Sequence, residues 1–173
     1  MNLYLRLIWL LLRFPFMQKP ADPLESTQLD MRVWPNDLDL NMHMNNGRYL
    51  TVMDLGRLHL TFVNGLLGAC LKRGWLPVLG SAKIHYLKPL NLFQKYKLES
   101  KVIYWDEKWI YMEQHFFKED VLCATALLKA LFVGKEGKIP SQQLIDLMGK
   151  EIACPPAPEV LKRWIECEKR DEI

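Results

Sequence analysis

Residues 37–50 read DLDLNMHMNNGRYL, from Asp37 to Leu50. Asp37, Asp39, Asn41, His43 and Asn45 alternate there with Leu38, Leu40, Met42 and Met44. A period of two belongs to an extended chain with one polar and one apolar face, although Asp and Asn are poor strand formers. Asn45 and Asn46 can then cap a helix, because their side-chain oxygens accept the free N–H groups of its first turn. Tyr49, Val52, Met53, Gly56, Leu60 and Val63 follow at helical spacing. This apolar stripe is wide, so the helix it predicts, over about residues 47–63, is central. Gly56 within it points to close backbone contact with a sheet.

Working outward, Thr27 to Trp34 reads as a strand closed by Pro35. After Asn64-Gly65, a short helix is expected from Leu66 to Lys72, ending at Gly74. Strands are predicted over Val78–Lys88, Lys95–Trp105, Trp109–Phe117 and Val121–Val133. The turn-like Asp106-Glu107 and Lys118-Glu119-Asp120 make an antiparallel meander of the last three. Helical signal returns at Ser141–Met148 and, beyond the proline-broken Cys154–Pro158, from Glu159 to about Lys169. A single apolar-striped helix needs a sheet to cover it, and four antiparallel strands supply one. The expected fold class is therefore α+β, a curved antiparallel sheet wrapped around one long central helix.

The 173 residues divide into an N-terminal apolar helix (1–19), a main domain (24–149) and a charged helical tail (150–173). With 50% hydrophobic and 25% charged residues, the chain can bury a full core. A net charge of +3 without a basic stripe argues against a nucleic-acid partner. Cys70, Cys123, Cys154 and Cys167 show no metal-ligand spacing, and no disulfide is needed in the reducing, cytoplasmic setting they suggest. The N-terminal MNLYLRLIWLLLRFPF has an uninterrupted apolar run only from Leu7 to Leu12, short of the ~20 residues that cross a bilayer. It lacks the basic region and cleavage site of a signal peptide. On a helix, Asn2, Arg6 and Arg13 share one narrow arc. Two readings stay open: residues 1–17 lie on a membrane surface with both arginines at the headgroups, or they pack on the protein or a partner subunit. Lys19 to Pro23 reads as a linker.

If residues 37–45 are extended, Asp39, Asn41 and His43 converge beside a helix N-terminus, whose free N–H groups and dipole favour negative charge. A carboxylate next to an oxyanion-stabilising dipole suits acyl transfer. The plainer alternative is a polar loop in which Asn45 and Asn46 simply cap the helix. Asp54 is either a rival acid or the partner of Arg57 in an i,i+3 pair. His59, His85 and His115 suit core or edge positions, and the histidines offer no zinc-binding set.

The pattern D-x-D-x-N-x-H-x-N-N-x-x-Y entering a helix, carried by Asp37, Asp39, Asn41, His43, Asn45, Asn46 and Tyr49, resembles the hotdog-fold thioesterases. These include the 4-hydroxybenzoyl-CoA thioesterase group and the acyl-carrier-protein thioesterases. The later SAKIHYLKPL (81–90) is similar to the family's strand with an apolar-Tyr-x-x-Pro signature, and the likeness spans about residues 25–135. The resemblance implies a thioesterase that cleaves an acyl-CoA or acyl-carrier-protein thioester without metal or cofactor. It makes Asp39 the catalytic carboxylate, as general base or nucleophile, with Asn41 and His43 orienting water or thioester. Asn45, Asn46, Gly47 and Tyr49 would form the substrate-binding helix start, where backbone N–H groups polarise the thioester carbonyl. It further implies a homodimer with active sites at the interface. Some hotdog enzymes use a helix acid, which is the case for Asp54. The plant acyl-carrier-protein enzymes carry a further glutamate near the position of Tyr86-Leu87-Lys88, and no carboxylate stands there in this chain. The alternatives are a non-catalytic hotdog protein binding acyl thioesters or lipids at a membrane surface, and a hotdog dehydratase. The expected location is cytoplasmic, or peripheral on the inner membrane surface.

Overall fold

Antiparallel pairing joins six strands into one sheet: β1 (Thr27–Arg32), β2 (Leu76–Tyr86), β3 (Lys95–Trp105), β4 (Ile110–Lys118), β5 (Val121–Gly134) and the short β6 (Gly137–Ile139). This computed structural model describes residues 2–17, 20–149 and 152–171, without the side chains of Asn2, Arg170 and Asp171. Asn2 of the N-terminal arc and Lys19 of the linker therefore fall outside the described side chains. The spatial order is β1-β3-β4-β5-β2, with β6 added to β5. β3, β4 and β5 form the expected meander. β2 lies at the far edge, pairing with β5 from Leu76↔Val133 to Tyr86↔Ala124.

The helix α2 (Asn46–Val63) lies across the inner face of this curled sheet, and all six residues of its predicted stripe are buried. A Cβ on Gly56 would stand 2.5 Å from Gln114 Nε2, 2.6 Å from Ser100 Oγ and 2.8 Å from a Leu98 methyl. Glycine at that position lets the helix backbone approach β3 and β4. The fully buried Gln114 bridges the two layers by donating from Nε2 to the Met53 carbonyl (3.2 Å) and to Ser100 Oγ (2.7 Å). Around this contact Val52, Met53, Leu98, Phe116 and Leu128 close the core, each at most 1% exposed.

Further helices cover the remaining sides. The first, α1 (Asn2–Arg13), buries Leu10 and, with the turn that follows, Phe14, whose ring stacks on Phe62 of α2 at 3.8 Å. α3 (Leu66–Arg73) and α4 (Ser141–Asp146) close one end of the core. α5 (Glu159–Asp171) packs Leu161 and Trp164 against Ile103 and Tyr111 on the outer face, and Lys129 Nζ meets Glu168 Oε2 at 2.7 Å. This cover explains why Tyr111, on the outward face of β4, is 1% exposed.

His59 is buried on α2 with no hydrogen-bond partner for Nδ1 among the described residues. Burial, and secondarily the Arg13 charge, push its pKa from 6.5 down to about 4. Unfolded, the same imidazole gains its proton near pH 6.5. Stability is therefore fully present above that pH and falls as pH drops toward 4, by about 3 kcal/mol in all. His59→Leu is expected to flatten the pH dependence of the urea midpoint across this window. An unchanged slope in the variant assigns the acid sensitivity to another group.

Candidate active site

Residues 37–45 form a turn, which corrects the extended strand expected from their alternation. Leu38 and Met44 make an isolated antiparallel bridge, and the Asp39 N–H donates to the His43 carbonyl (2.8 Å). The Met42 N–H closes back on the Asp39 carbonyl (3.1 Å), and Met42 takes a left-handed φ of 61°. Local side-chain bonding drives the reversal, as is usual for Asp and Asn. Asp39 Oδ1 accepts from the Asn41 N–H at 2.8 Å and the His43 N–H at 3.2 Å. Leu40 and Met42, placed on the apolar side by the alternation, are exposed, whereas Met44 is buried.

The same turn decides what gathers around Asp39. Asn41 and His43 meet its carboxylate through their backbone amides. Among the described residues their side chains make no hydrogen bond to it, and both residues are exposed. Asp39 itself is half-buried. The loop is stitched to the segment before β3 by a His43↔Asn91 bridge and by the Met44 N–H to the Leu90 carbonyl (2.8 Å). It then enters α2, where Asn45 Oδ1 caps the helix by accepting from the Gly47 N–H (2.8 Å). That bond occupies the Gly47 amide, whereas the Asn46 N–H has no partner among the described residues. Tyr86, at the end of β2, donates its hydroxyl to the Asn46 carbonyl (3.1 Å) and lies edge-on to Tyr49 at 5.1 Å. Tyr49 is buried, and burial pushes its phenol up to about 12, so it remains protonated.

Asp37 opens the motif but points inward, only 1% exposed. Its Oδ2 accepts from Arg6 of α1 and from the Trp34 N–H (2.8 Å), and its carbonyl accepts the Asn45 N–H (2.7 Å). Arg48 approaches its other oxygen at 3.8 Å. Arg6 also donates to the Arg32 carbonyl (3.0 Å), so this arginine binds the domain instead of reaching for lipid. An Asp in an alternating loop carries no signal that its partner lies 31 residues upstream.

Asp54 forms the i,i+3 ion pair with Arg57 that the sequence allowed, and its side chain is 59% exposed. Burial pulls the Arg57 pKa down, opposed by Asp54, and Arg57 Nη1 donates to Gln114 Oε1 (3.3 Å). Both residues line a cavity of about 350 Å³ between α2, α3, α4 and the first residues of β2. Its wall is otherwise mainly apolar, including Leu58, Leu67, Trp75, Met112 and Phe132. Asp54 lies about 12 Å along the helix from Asn46, so within this chain the Asp39 turn and this cavity sit at separate ends of α2. Neither the cavity nor the Tyr86 contact was visible in the local pattern. Gln114 left a signal, as a polar residue at an inward position of β4 between Met112 and Phe116.

A family model described as the thioesterase-like superfamily matches residues 33–165. Protein THEM6 of Danio rerio is 30% identical over 166 residues, covering 94% of this chain and 80% of that protein. A probable thioesterase of Saccharomyces cerevisiae is 34% identical over 116 residues, covering 65% of this chain and 49% of that protein. Among solved structures, a hypothetical protein of Staphylococcus aureus in complex with CoA superposes with a TM-score of 0.64. It is 16% identical and covers 82% of this chain and 94% of its own.

Arg6→Ala leaves the buried Asp37 carboxylate without its nearest cation, and the expected loss of stability is about 3 kcal/mol or more. Asp37→Asn in the Arg6→Ala background is expected to recover part of that loss, because a neutral amide needs no counter-charge. Urea denaturation of the two single variants and the double variant checks this. A midpoint that Arg6→Ala leaves unmoved removes the ion pair as the anchor of the loop.

Proposed function

The chain belongs to the thioesterase-like superfamily and is a thioester hydrolase of hotdog fold, and from that premise we propose that it cleaves an acyl-CoA at the start of α2. The observation that carries this reading is the Asp39 turn, which holds a half-buried carboxylate in the loop that leads into an exposed helix N-terminus. Asp39 takes a proton from water as the water oxygen attacks the thioester carbon, or its own oxygen attacks first and water then hydrolyses the resulting acyl anhydride to free acid and Asp39. Charge developing on the carbonyl oxygen is stabilised by the Asn46 N–H and the positive end of α2. The C–S bond then breaks, and CoA leaves as a thiolate that is protonated by solvent. In this reading Asn41 and His43, exposed beside Asp39, orient the water or the thioester. CoA is favoured over a carrier protein by the CoA bound to the structural neighbour from Staphylococcus aureus. The mainly apolar cavity favours a hydrocarbon acyl chain over a small aromatic one.

The same reading requires a homodimer. β2 is an exposed edge strand that begins at the cavity, with Leu76, Val78 and Leu79 uncovered, and ends at Tyr86 against the start of α2. An uncovered edge of this kind favours pairing with another strand. Two such edges paired antiparallel about a two-fold axis set the Tyr86 end of one beside the Leu76 end of the other. Thioester bound at one protomer's Asp39 then extends its chain toward the other protomer's cavity. The four free cysteines favour a reducing, cytoplasmic setting.

Asp39→Asn separates catalysis from folding, because the amide oxygen still accepts the two backbone N–H groups that shape the turn. Thiol release from acyl-CoAs of graded length is expected to fall by about 10²-fold or more, with the thermal midpoint within a few degrees of wild type. Full turnover in Asp39→Asn transfers the role to Asp54. Sedimentation is expected to give the dimer mass at assay concentrations. A monomer that retains activity refutes the shared site.

A further inference from the structure

We propose that the outer face of α1, together with the basic groove beside it, docks on an anionic phospholipid bilayer. The helix is apolar on both sides. Its inner stripe (Leu3, Leu7, Leu10 and then Phe14) packs on the core, and Arg6 pairs with Asp37, so its orientation on the domain is fixed. The opposite side is left uncovered: Tyr4 is 69%, Leu5 66%, Ile8 53%, Leu12 70% and, just beyond the helix, Phe16 87% exposed. Patches of this kind mark protein or membrane contacts. Among the described residues no helix is long and apolar enough to cross a membrane, and α1, packed along its inner stripe on the domain, offers lipid its free face in the manner of an interfacial helix.

Charge identifies the occupant. Arg13 places its guanidinium over the Trp9 ring at 4.4 Å, an aromatic–cation pair suited to the headgroup layer. Leu5 and Trp9 also line an open groove of about 1220 Å³, shared with Arg32, Lys95, Lys97 and Lys118 against Asp30 and Glu119. Arg32 and Lys95 face each other across the β1–β3 ladder, a like-charge pairing that costs stability unless an anion lies between. A bilayer supplies hydrocarbon for the leucines and phosphate or carboxylate for the cations at once. A second copy would bring a second basic groove against the first.

The test uses the full chain, sedimented with vesicles of phosphatidylcholine alone and of phosphatidylcholine with about a third phosphatidylserine. Wild type is expected to bind the anionic vesicles about tenfold or more tightly than the neutral ones, and to release as salt is raised. Ile8→Glu with Leu12→Glu is expected to abolish binding, and Arg32→Glu with Lys95→Glu to weaken it about tenfold on anionic vesicles only. Both double variants alter exposed side chains and are expected to keep wild-type circular dichroism and turnover of a soluble acyl-CoA. The proposal is overturned if wild type stays in the supernatant with both vesicles, or if Ile8→Glu with Leu12→Glu binds as wild type does. A drop in the native mass caused by those two substitutions overturns it as well, because a second copy then covers the face.

Discussion

The backbone of α2 rests directly on β3 and β4, and Gly56 makes that contact possible. Any side chain there would displace Gln114, Ser100 or Leu98. The same approach buries an amide and a hydroxyl at the centre of an apolar core, where unpaired polar groups are expensive. Gln114 resolves this by bonding both the Met53 carbonyl and Ser100. Hydrophobic burial thus supplies the driving force, while a short polar bridge fixes how the helix lies on the sheet. Once α2 is placed, its two ends are placed as well, with the Asp39 turn at one and the mainly apolar cavity at the other.

The N-terminus of α2 is held from three directions. Tyr86 bonds the Asn46 carbonyl, the Asp37 carbonyl receives the Asn45 amide, and the Leu90 carbonyl receives the Met44 amide. Asp37 is in turn fixed by Arg6. The N-terminal helix α1 therefore contributes to positioning the loop that carries Asp39. Preorganised donors cost no rearrangement when charge develops in a transition state, and this network supplies the rigidity such a site needs.

α1 and α5 show how differently a terminal helix can meet the same domain. α5 carries charge on its free face and buries Leu161 and Trp164, so its amphipathicity is satisfied by the sheet. α1 has more apolar surface than the domain can cover. The two readings left open for it by sequence are not exclusive, since its inner face packs on the protein and its outer face remains free. Of its two arginines, Arg6 is committed to Asp37 and Arg13 stays exposed over Trp9.

The fold was largely legible because its signals are local and periodic. The stripe from Tyr49 to Val63, the breaks at Gly65 and Gly74, and the turns at Asp106 and Lys118 each follow from a few neighbouring residues, and all reappear in the structure. The motif residues and the capping role of Asn45 were legible for the same reason. The conformation of residues 37–45 was not. Alternation suggested a strand, but Asp39 captured the Asn41 and His43 amides and reversed the chain, a competition that periodicity cannot register. Likewise β2 pairs with β5 at the far edge, Arg6 finds Asp37 and Tyr86 finds Asn46. These are contacts between residues 31 to 57 positions apart, chosen by which partners the folded chain brings within reach. The sequence by itself determined the elements, the central helix and which residues are candidates for the site. Only the tertiary structure decided which way each carboxylate points and what surrounds it, because those depend on three-dimensional neighbours that no local pattern encodes.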